Sequence, residues 1–285
     1  MNVLITGAQG FTGRYVREAL ESYSHSVTAL KSNLMDADAV AAEVAEVQPD
    51  AVVHLAAIAF VGHGNTDAFY QVNLIGTRHL LEALAQHAPQ VRSVLLASSA
   101  NVYGNQVEGA LSEDIELNPA NDYAVSKWAM EKMAGLYKDK LPLFIVRPFN
   151  YTGVGQDENF LVPKIVAHFR QQKTQIELGN LDVWREFGDV RSVADIYRQL
   201  LELTPRGETL NIGTGKAYSL REVIALCEKI TQHQIEVCVN SLFVRENEVK
   251  ILKSNPFRLQ RLIDSHLTSY DLEDTLRWML AGDSL

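Results

Sequence analysis

The sequence predicts an α/β fold, a doubly wound parallel sheet that carries a smaller C-terminal lobe. Three observations predict it. Apolar strand-like runs alternate with helix-like segments through the first 150 residues, three glycines follow the first strand, and the alternation loosens after Asn150.

Val3–Thr6 reads as a buried strand and Thr12–Ser22 as the helix that follows it. Val27–Leu30 is a second strand, and Ala37–Val47 is a helix ended by Pro49. Ala51–Ala56 is a strand, Asp67–Gln86 a long helix and Val94–Ser98 another strand. Asp122–Tyr137 is a helix and Leu143–Arg147 a strand. Strands that alternate with helices imply parallel crossovers. Residues 1–150 are therefore expected to form the sheet domain, with segments at about 185–215 returning to it and 151–285 forming mainly the lobe across a cleft. No Gly-, Pro- or Ser-rich linker and no internal repeat interrupts the chain.

The chain has 285 residues, enough for one large domain with a lobe, and a formal net charge of −9. No block of Lys and Arg stands out, so binding to nucleic acid is not expected. No apolar run reaches bilayer length, and the strand-like start Asn2-Val3-Leu4-Ile5-Thr6 lacks a charged leader, so a soluble cytoplasmic protein without membrane association is expected. Cys227 and Cys238 are the only cysteines and are expected to be two buried thiols. His25, His54, His63, His79 and His87 lack metal-ligand spacing with carboxylates or cysteines, so no metal site is expected.

Thr6-Gly7-Ala8-Gln9-Gly10-Phe11-Thr12-Gly13 joins the first strand to the first helix. Gly7 suits a tight turn, Gly10 lets backbone approach a pyrophosphate, and Gly13 lets helix and strand pack closely. The helix N-terminus adds free N–H groups and a positive dipole end. Such a turn at the first strand is the dinucleotide site of a Rossmann fold. At the end of the second strand, Lys31 either meets the 2′-phosphate of NADPH or is a solvated surface residue. Asp36 is expected to cap the next helix.

Tyr123 and Lys127, in Tyr-Ala-Val-Ser-Lys, share one face of a helix. A nearby ammonium is expected to lower the phenol's pKa, so that the tyrosine exchanges a proton with a substrate oxygen. Ser99 follows the strand ending at Ala97-Ser98, at the sheet edge where ligands bind, and its hydroxyl can polarise a carbonyl. Ser98 is expected to satisfy backbone groups near that turn.

With these motifs the chain resembles the extended short-chain dehydrogenase/reductases, the NAD-dependent epimerase/dehydratase family. The matching features are Thr6–Gly13, His54-Leu55-Ala56-Ala57, Asn73 in Val-Asn-Leu-Ile-Gly-Thr, Ser98–Gly104, Tyr123–Lys127 and Arg147-Pro148-Phe149-Asn150. The resemblance implies that Ser99, Tyr123 and Lys127 are catalytic. It implies NADPH or NADH bound by Gly7, Gln9, Gly10, Phe11, Thr12, Gly13, Lys31, Asn33, Leu34, Leu55, Ala56, Ala57, Asn73, Ala97, Tyr123, Lys127, Pro148 and Phe149.

The segments Gly179–Arg191, Arg245–Val249 and Asn255–Leu259 resemble the substrate lobe of GDP-mannose 4,6-dehydratases and GDP-6-deoxy-4-keto-mannose reductases. By that resemblance Arg185 and Arg245 meet the diphosphate of a nucleotide sugar and Glu248 its ribose, while Ser99, Asn150, Val162 and Lys164 line the substrate pocket. Guanidinium suits phosphate oxygens and carboxylate suits hydroxyls. The family also implies a homodimer built on the helices at Asp67–Gln86 and Asp122–Tyr137.

Two departures narrow the expectation. Asn101 stands where the dehydratases carry a carboxylate, and an amide takes up no proton near neutral pH, so 4,6-dehydration is disfavoured. The segment from Leu30 to Asp36 is short, and Asn33 stands where an adenine-contacting aspartate is usual. The expectation is an NAD(P)H-dependent reductase of a nucleotide-linked 4-keto-6-deoxy sugar. The alternatives are a 4-epimerase that retains NAD and a dinucleotide-binding regulator without catalysis.

Overall fold

Strands with successive apolar residues have no polar face, so both faces have to be covered. The computed structural model describes residues 1–59, 64–105, 108–243, 249–263 and 270–282, and in it helices cover both faces. The first elements in chain order are β1 (Asn2–Thr6), α1 (Phe11–Ser22), β2 (Ser26–Ala29), α2 (Ala37–Val47), β3 (Ala51–His54), α3 (Asp67–Tyr70), α4 (Thr77–His87) and β4 (Ser93–Ala97). They are followed by β5 (Gly109–Leu111), α5 (Asp122–Ala134), β6 (Leu143–Pro148), β7 (Tyr151–Thr152), α6 (Leu161–Arg170), β8 (Gln175–Leu178), β9 (Trp184–Glu186), β10 (Gly188–Asp189), α7 (Val190–Leu203) and β11 (Thr209–Ile212). The last are β12 (Ala217–Ser219), α8 (Leu220–Thr231), β13 (Glu236–Val239), β14 (Ile251–Ser254), α9 (Phe257–Gln260) and α10 (Leu272–Ala281).

The central sheet has six strands in the order β11-β6-β4-β3-β1-β2. All its pairings are parallel. The strand order reverses at β1, between β2 and β3, which opens a crevice at the C-terminal strand ends. Alternation divides the core in two. Val3, Ile5, Val53, Leu95 and Val146 pack with Tyr15 and Val16 of α1 and Val193, Tyr197 and Leu200 of α7. Leu4, Val52, Val94 and Leu96 face the other way, onto Val40 and Val44 of α2, Leu80 and Leu84 of α4, and Met130 of α5. A single-residue slip in any strand would exchange these faces.

A separate core joins α6, β8, α8 and α10 through Ile165, Phe169, Ile176, Leu178, Val223, Cys227 and Leu276. A four-stranded sheet, β12-β9-β14-β5, lies beside it. Its β5 comes from the loop after β4 and pairs in parallel with β14. No helix of the described residues is long and apolar enough to cross a membrane.

Two local expectations change. The predicted helix 67–86 is helical but widens to π geometry over Gln71–Gly76, between α3 and α4. Such widenings commonly sit at functional sites. Both cysteines are free thiols, but only Cys227 is buried, because Cys238 lies on β13, which pairs only with β8.

Candidate active site

The glycine turn is built as a phosphate cradle. Gly7 has φ +71°, and a Cβ there would stand 2.8 Å from Ala56 N. A Cβ on Gly13 would stand 2.7 Å from Ala8 Cα, so this glycine lets α1 close onto the turn. Gly10 differs, because its Cβ would meet only Gly7 O, at 3.2 Å. The fold therefore leaves room at Gly10 for a ligand. Gly10 is the N-cap of α1 and supplies no side-chain cap, so the first N–H groups of α1 are free to receive a pyrophosphate. These features fit a dinucleotide.

A buried polar chain ties this turn to α5. Thr77 Oγ1 donates to Asn73 O at 2.7 Å, so it accepts from His54 Nε2 at 2.8 Å. His54 Nδ1 is then the acceptor from Thr6 Oγ1 at 2.7 Å, and Thr6 Oγ1 accepts from Ala56 N at 3.1 Å. This assigns the Nε2–H tautomer. Burial, aided by the Lys127 charge, pushes the His54 pKa down to about 3, so the ring is neutral. The π-helical widening turns Asn73 inward. Its amide donates to Ile58 O and to Ser126 Oγ, and its carbonyl oxygen accepts from Ile58 N at 3.0 Å. Ser126 Oγ in turn donates to Tyr123 O at 2.7 Å.

The C-terminal end of β4 and the first turns of α5 bring Ser99, Tyr123 and Lys127 together. Asn121 caps α5 by accepting from Ala124 N, which fixes the helix start at Asp122, one residue before Tyr123. Ser99 caps the short helical turn Ala100–Tyr103, accepting from Asn101 N at 3.2 Å. Burial pushes Tyr123 up to about 12, and the neighbouring Ser99 hydroxyl, which favours the ionised phenol, opposes it. Lys127 is buried and donates from Nζ to Ala97 O at 2.7 Å. Burial lowers its pKa to about 8, against the upward pull of the Glu131 carboxylate. The expected lowering of Tyr123 by Lys127 is not found, because burial dominates the phenol and Ser99 supplies the opposing pull.

The model of the NAD dependent epimerase/dehydratase family matches residues 3–213, which hold both the cradle and the triad. The chain belongs to this family of enzymes. The dinucleotide of the cradle is accordingly a nicotinamide one. GDP-6-deoxy-D-talose 4-dehydrogenase of Aggregatibacter actinomycetemcomitans is 37% identical over 268 residues, 92% of this chain and 91% of that protein. GDP-6-deoxy-D-mannose reductase of Pseudomonas aeruginosa is 32% identical over 273 residues, 90% and 89% of the two chains. The solved structure of RMD from Pseudomonas aeruginosa complexed with NADPH is 29% identical and has a TM-score of 0.88, covering 99% of this chain and 98% of that one.

Within the family frame, the remaining predicted residues fall into three groups. Around the cradle, Gln9 is exposed, and Phe11, Leu55, Ala56 and Ala57 are half-buried beside the turn. Phe149 is buried against Tyr103, with ring centroids 6.2 Å apart, and Pro148 ends β6. At the end of β2, Asp36 caps α2 as expected. Lys31 is exposed, while Asn33 spends its carbonyl on its own turn, accepting from Met35 N at 3.0 Å. Leu34 buries its side chain, 3.0 Å from where a Cβ on Gly76 would stand, so it offers a ligand backbone only.

In the lobe, Asn150 is exposed, whereas Val162 is buried in the lobe core and presents almost no surface. Lys164 Nζ donates to Glu177 O at 2.8 Å and lies 4.6 Å from the Phe243 ring centroid. Arg185 donates from Nη1 to Trp184 O at 2.9 Å, on the β9–β14 side of the small sheet. Arg245, Glu248 and His63 lie outside the described residues. The expectation for Ser98 fails, since its buried Oγ finds no partner among the described residues.

Tyr151 was not singled out by sequence reading. Its hydroxyl lies 2.7 Å from Thr12 Oγ1 and its ring stacks on Phe11 at 6.1 Å, which ties β7 to the first turn of α1. Its position next to Asn150 was the available signal, but a tyrosine on a two-residue strand carries no periodicity to flag it. A cavity of about 420 Å³ is lined by Phe149, Asn150 and Tyr151 together with Phe187, Ile212 and Tyr270, and none of the triad side chains lines it.

Proposed function

We propose that this chain is an NAD(P)H-dependent reductase of a nucleotide-linked 4-keto-6-deoxy sugar. The observation that carries the reading is the meeting of buried Ser99 and Tyr123 at the C-terminal edge of the sheet, with buried Lys127 one helical turn on. The Gly7–Gly13 turn and the α1 N-terminus would hold the dinucleotide, whose chemistry there would be hydride donation to the ketone carbon. The Tyr123 phenol is held protonated by burial, which suits a group that gives a proton to the developing alkoxide. Ser99 is placed to share the hydrogen bonding of that oxygen, and Lys127 supplies positive charge beneath it.

Asn101 supports ketone reduction over dehydration, because its exposed amide offers no base two residues beyond Ser99. The activities of both relatives, a GDP-6-deoxy-D-talose 4-dehydrogenase and a GDP-6-deoxy-D-mannose reductase, favour the same substrate class for this chain. Arg185, Asn150 and Lys164 are the described polar residues assigned to that substrate, with Arg245 and Glu248 completing the set. Remote contacts to the diphosphate would position C4 against the nicotinamide. We also assign a homodimer through α4 and α5, where Trp128 and, just beyond α5, Leu136 expose apolar surface; light scattering at micromolar concentration tests it.

The decisive experiment follows reduced-nicotinamide absorbance with GDP-, dTDP-, CDP- and UDP-linked 4-keto-6-deoxy sugars. Turnover with one of them supports the reading, and no oxidation with any of them overturns it. A 4-epimerase would instead retain its dinucleotide without net turnover. A Tyr123→Phe chain that kept full biological effect would identify a regulator.

A further inference from the structure

We propose that Glu43 sets the coenzyme preference of this chain, by holding a fixed carboxylate where the 2′-phosphate of NADP(H) would sit and so selecting NAD(H). The proposal rests on the dinucleotide cradle described above. In a Rossmann sheet the adenosine ribose lies off the C-terminal end of β2, and a carboxylate there accepts from its 2′-hydroxyl. In this chain that end runs into the short loop Leu30–Asp36. The loop is pinned at both sides, with Leu30 N donating to Ile5 O at 2.9 Å and Leu34 O lying 2.8 Å from His79 Nδ1.

Between these pins, two consecutive backbone amides point at one side chain from α2. Lys31 N donates to Glu43 Oε1 at 2.8 Å and Ser32 N to Oε2 at 2.7 Å. The Ser32 hydroxyl also donates to Oε2, at 2.6 Å. Successive amides with a hydroxyl form an anion nest of the kind that receives phosphate. Here the chain fills the nest with its own carboxylate. Burial opposes ionisation of Glu43, but the Ser32 hydroxyl, the two amides and the Lys31 charge outweigh it and hold the acid below its ordinary range.

A 2′-phosphate would find these donors occupied and would face a like charge. A 2′-hydroxyl would find an acceptor with lone-pair capacity remaining, since a carboxylate offers about four sites and three are used. Lys31 acts in the opposite sense. Its ammonium is exposed, so solvent screens its attraction for a phosphate more than it screens the held carboxylate.

The test is direct binding to the full chain, stripped of co-purified dinucleotide, by titration with NADH and with NADPH followed by nicotinamide fluorescence. No sugar nucleotide is present, so the result is independent of the substrate reading. We expect NADH to bind about tenfold more tightly or better. Glu43→Gln keeps an oxygen for the amides and removes the charge, and should tighten NADPH about fivefold while moving NADH less than twofold. NADPH binding as tightly as NADH to the natural chain would overturn the proposal. So would an unchanged ratio in Glu43→Gln. The natural chain's ratio decides by itself should that variant not fold. Binding of neither dinucleotide would instead overturn the cradle assignment together with the proposal.

Discussion

Glu131 receives both arms of Arg147, with Nε at 3.0 Å and Nη2 at 2.6 Å, one helical turn beyond Lys127. Arg147 also donates to the Tyr103 hydroxyl at 3.0 Å, and Tyr103 donates to Asn211 Oδ1 at 2.7 Å. This buried chain runs from α5 through β6 to β11 and holds the triad helix on the sheet. Removal of one partner leaves an uncompensated buried charge, so Glu131→Gln or Arg147→Met should each cost about 3–5 kcal/mol. The double variant Glu131→Leu/Arg147→Met should recover most of that loss, and a double-mutant cycle by urea denaturation checks it. Because Glu131 raises Lys127, Glu131→Gln should also shift the Lys127 limb of the pH–rate profile to lower pH.

His54 makes the fold sensitive to acid. Its folded pKa is depressed to about 3 from the ordinary 6.5. Below pH 6.5 the unfolded chain binds a proton that the folded chain refuses, so stability falls as pH falls toward 3. Between pH 7 and pH 4.5 this group alone should remove about 2.5 kcal/mol. Denaturation midpoints at the two values measure it. His54→Asn should be less stable at pH 7 yet show a flatter slope.

Two of the turn glycines, Gly13 and Gly10, should separate by assay. Gly13→Ala forces a Cβ against Ala8 Cα and should destabilise the protein by roughly 1–3 kcal/mol or more. Gly10→Ala meets only one carbonyl, at 3.2 Å, and should keep its thermal midpoint within a few degrees while dinucleotide affinity drops at least about tenfold. Equal loss of folding in both variants would contradict the cradle.

Ser99 pulls the Tyr123 pKa down against burial. Ser99→Ala should therefore raise the phenol further and move any alkaline limb of kcat upward. It should also lower kcat about 10²-fold, with coenzyme affinity unchanged. Stopped-flow rates across pH, beside NADH titrations, give both numbers.

Lys127 shifts the balance at high pH. Its folded pKa of about 8 lies below the ordinary 10.5, so between these values the unfolded chain binds more protons. Stability should rise with pH across that window, as the penalty of burying the ammonium fades. Lys127→Met should remove that rise, which paired denaturation curves at pH 8 and pH 10 would show.

The sequence by itself determined the parallel sheet, the cradle and the family. Each is written in local pattern, as glycines after β1, apolar runs of strand length, and Tyr123 four residues before Lys127. The tertiary structure decided what those groups do to one another. Lys127 is anchored on Ala97 O, and the Tyr123 phenol is governed by burial and Ser99, because desolvation depends on everything packed around the ring. Tyr151 reaches Thr12 across 139 positions of sequence. Glu43 returns from α2 to fill the nest at Lys31 and Ser32, and nothing in the spacing shows which helix turn faces which loop. Hydrogen bonds and charge act through distance and burial, and a linear pattern specifies neither until the chain has folded.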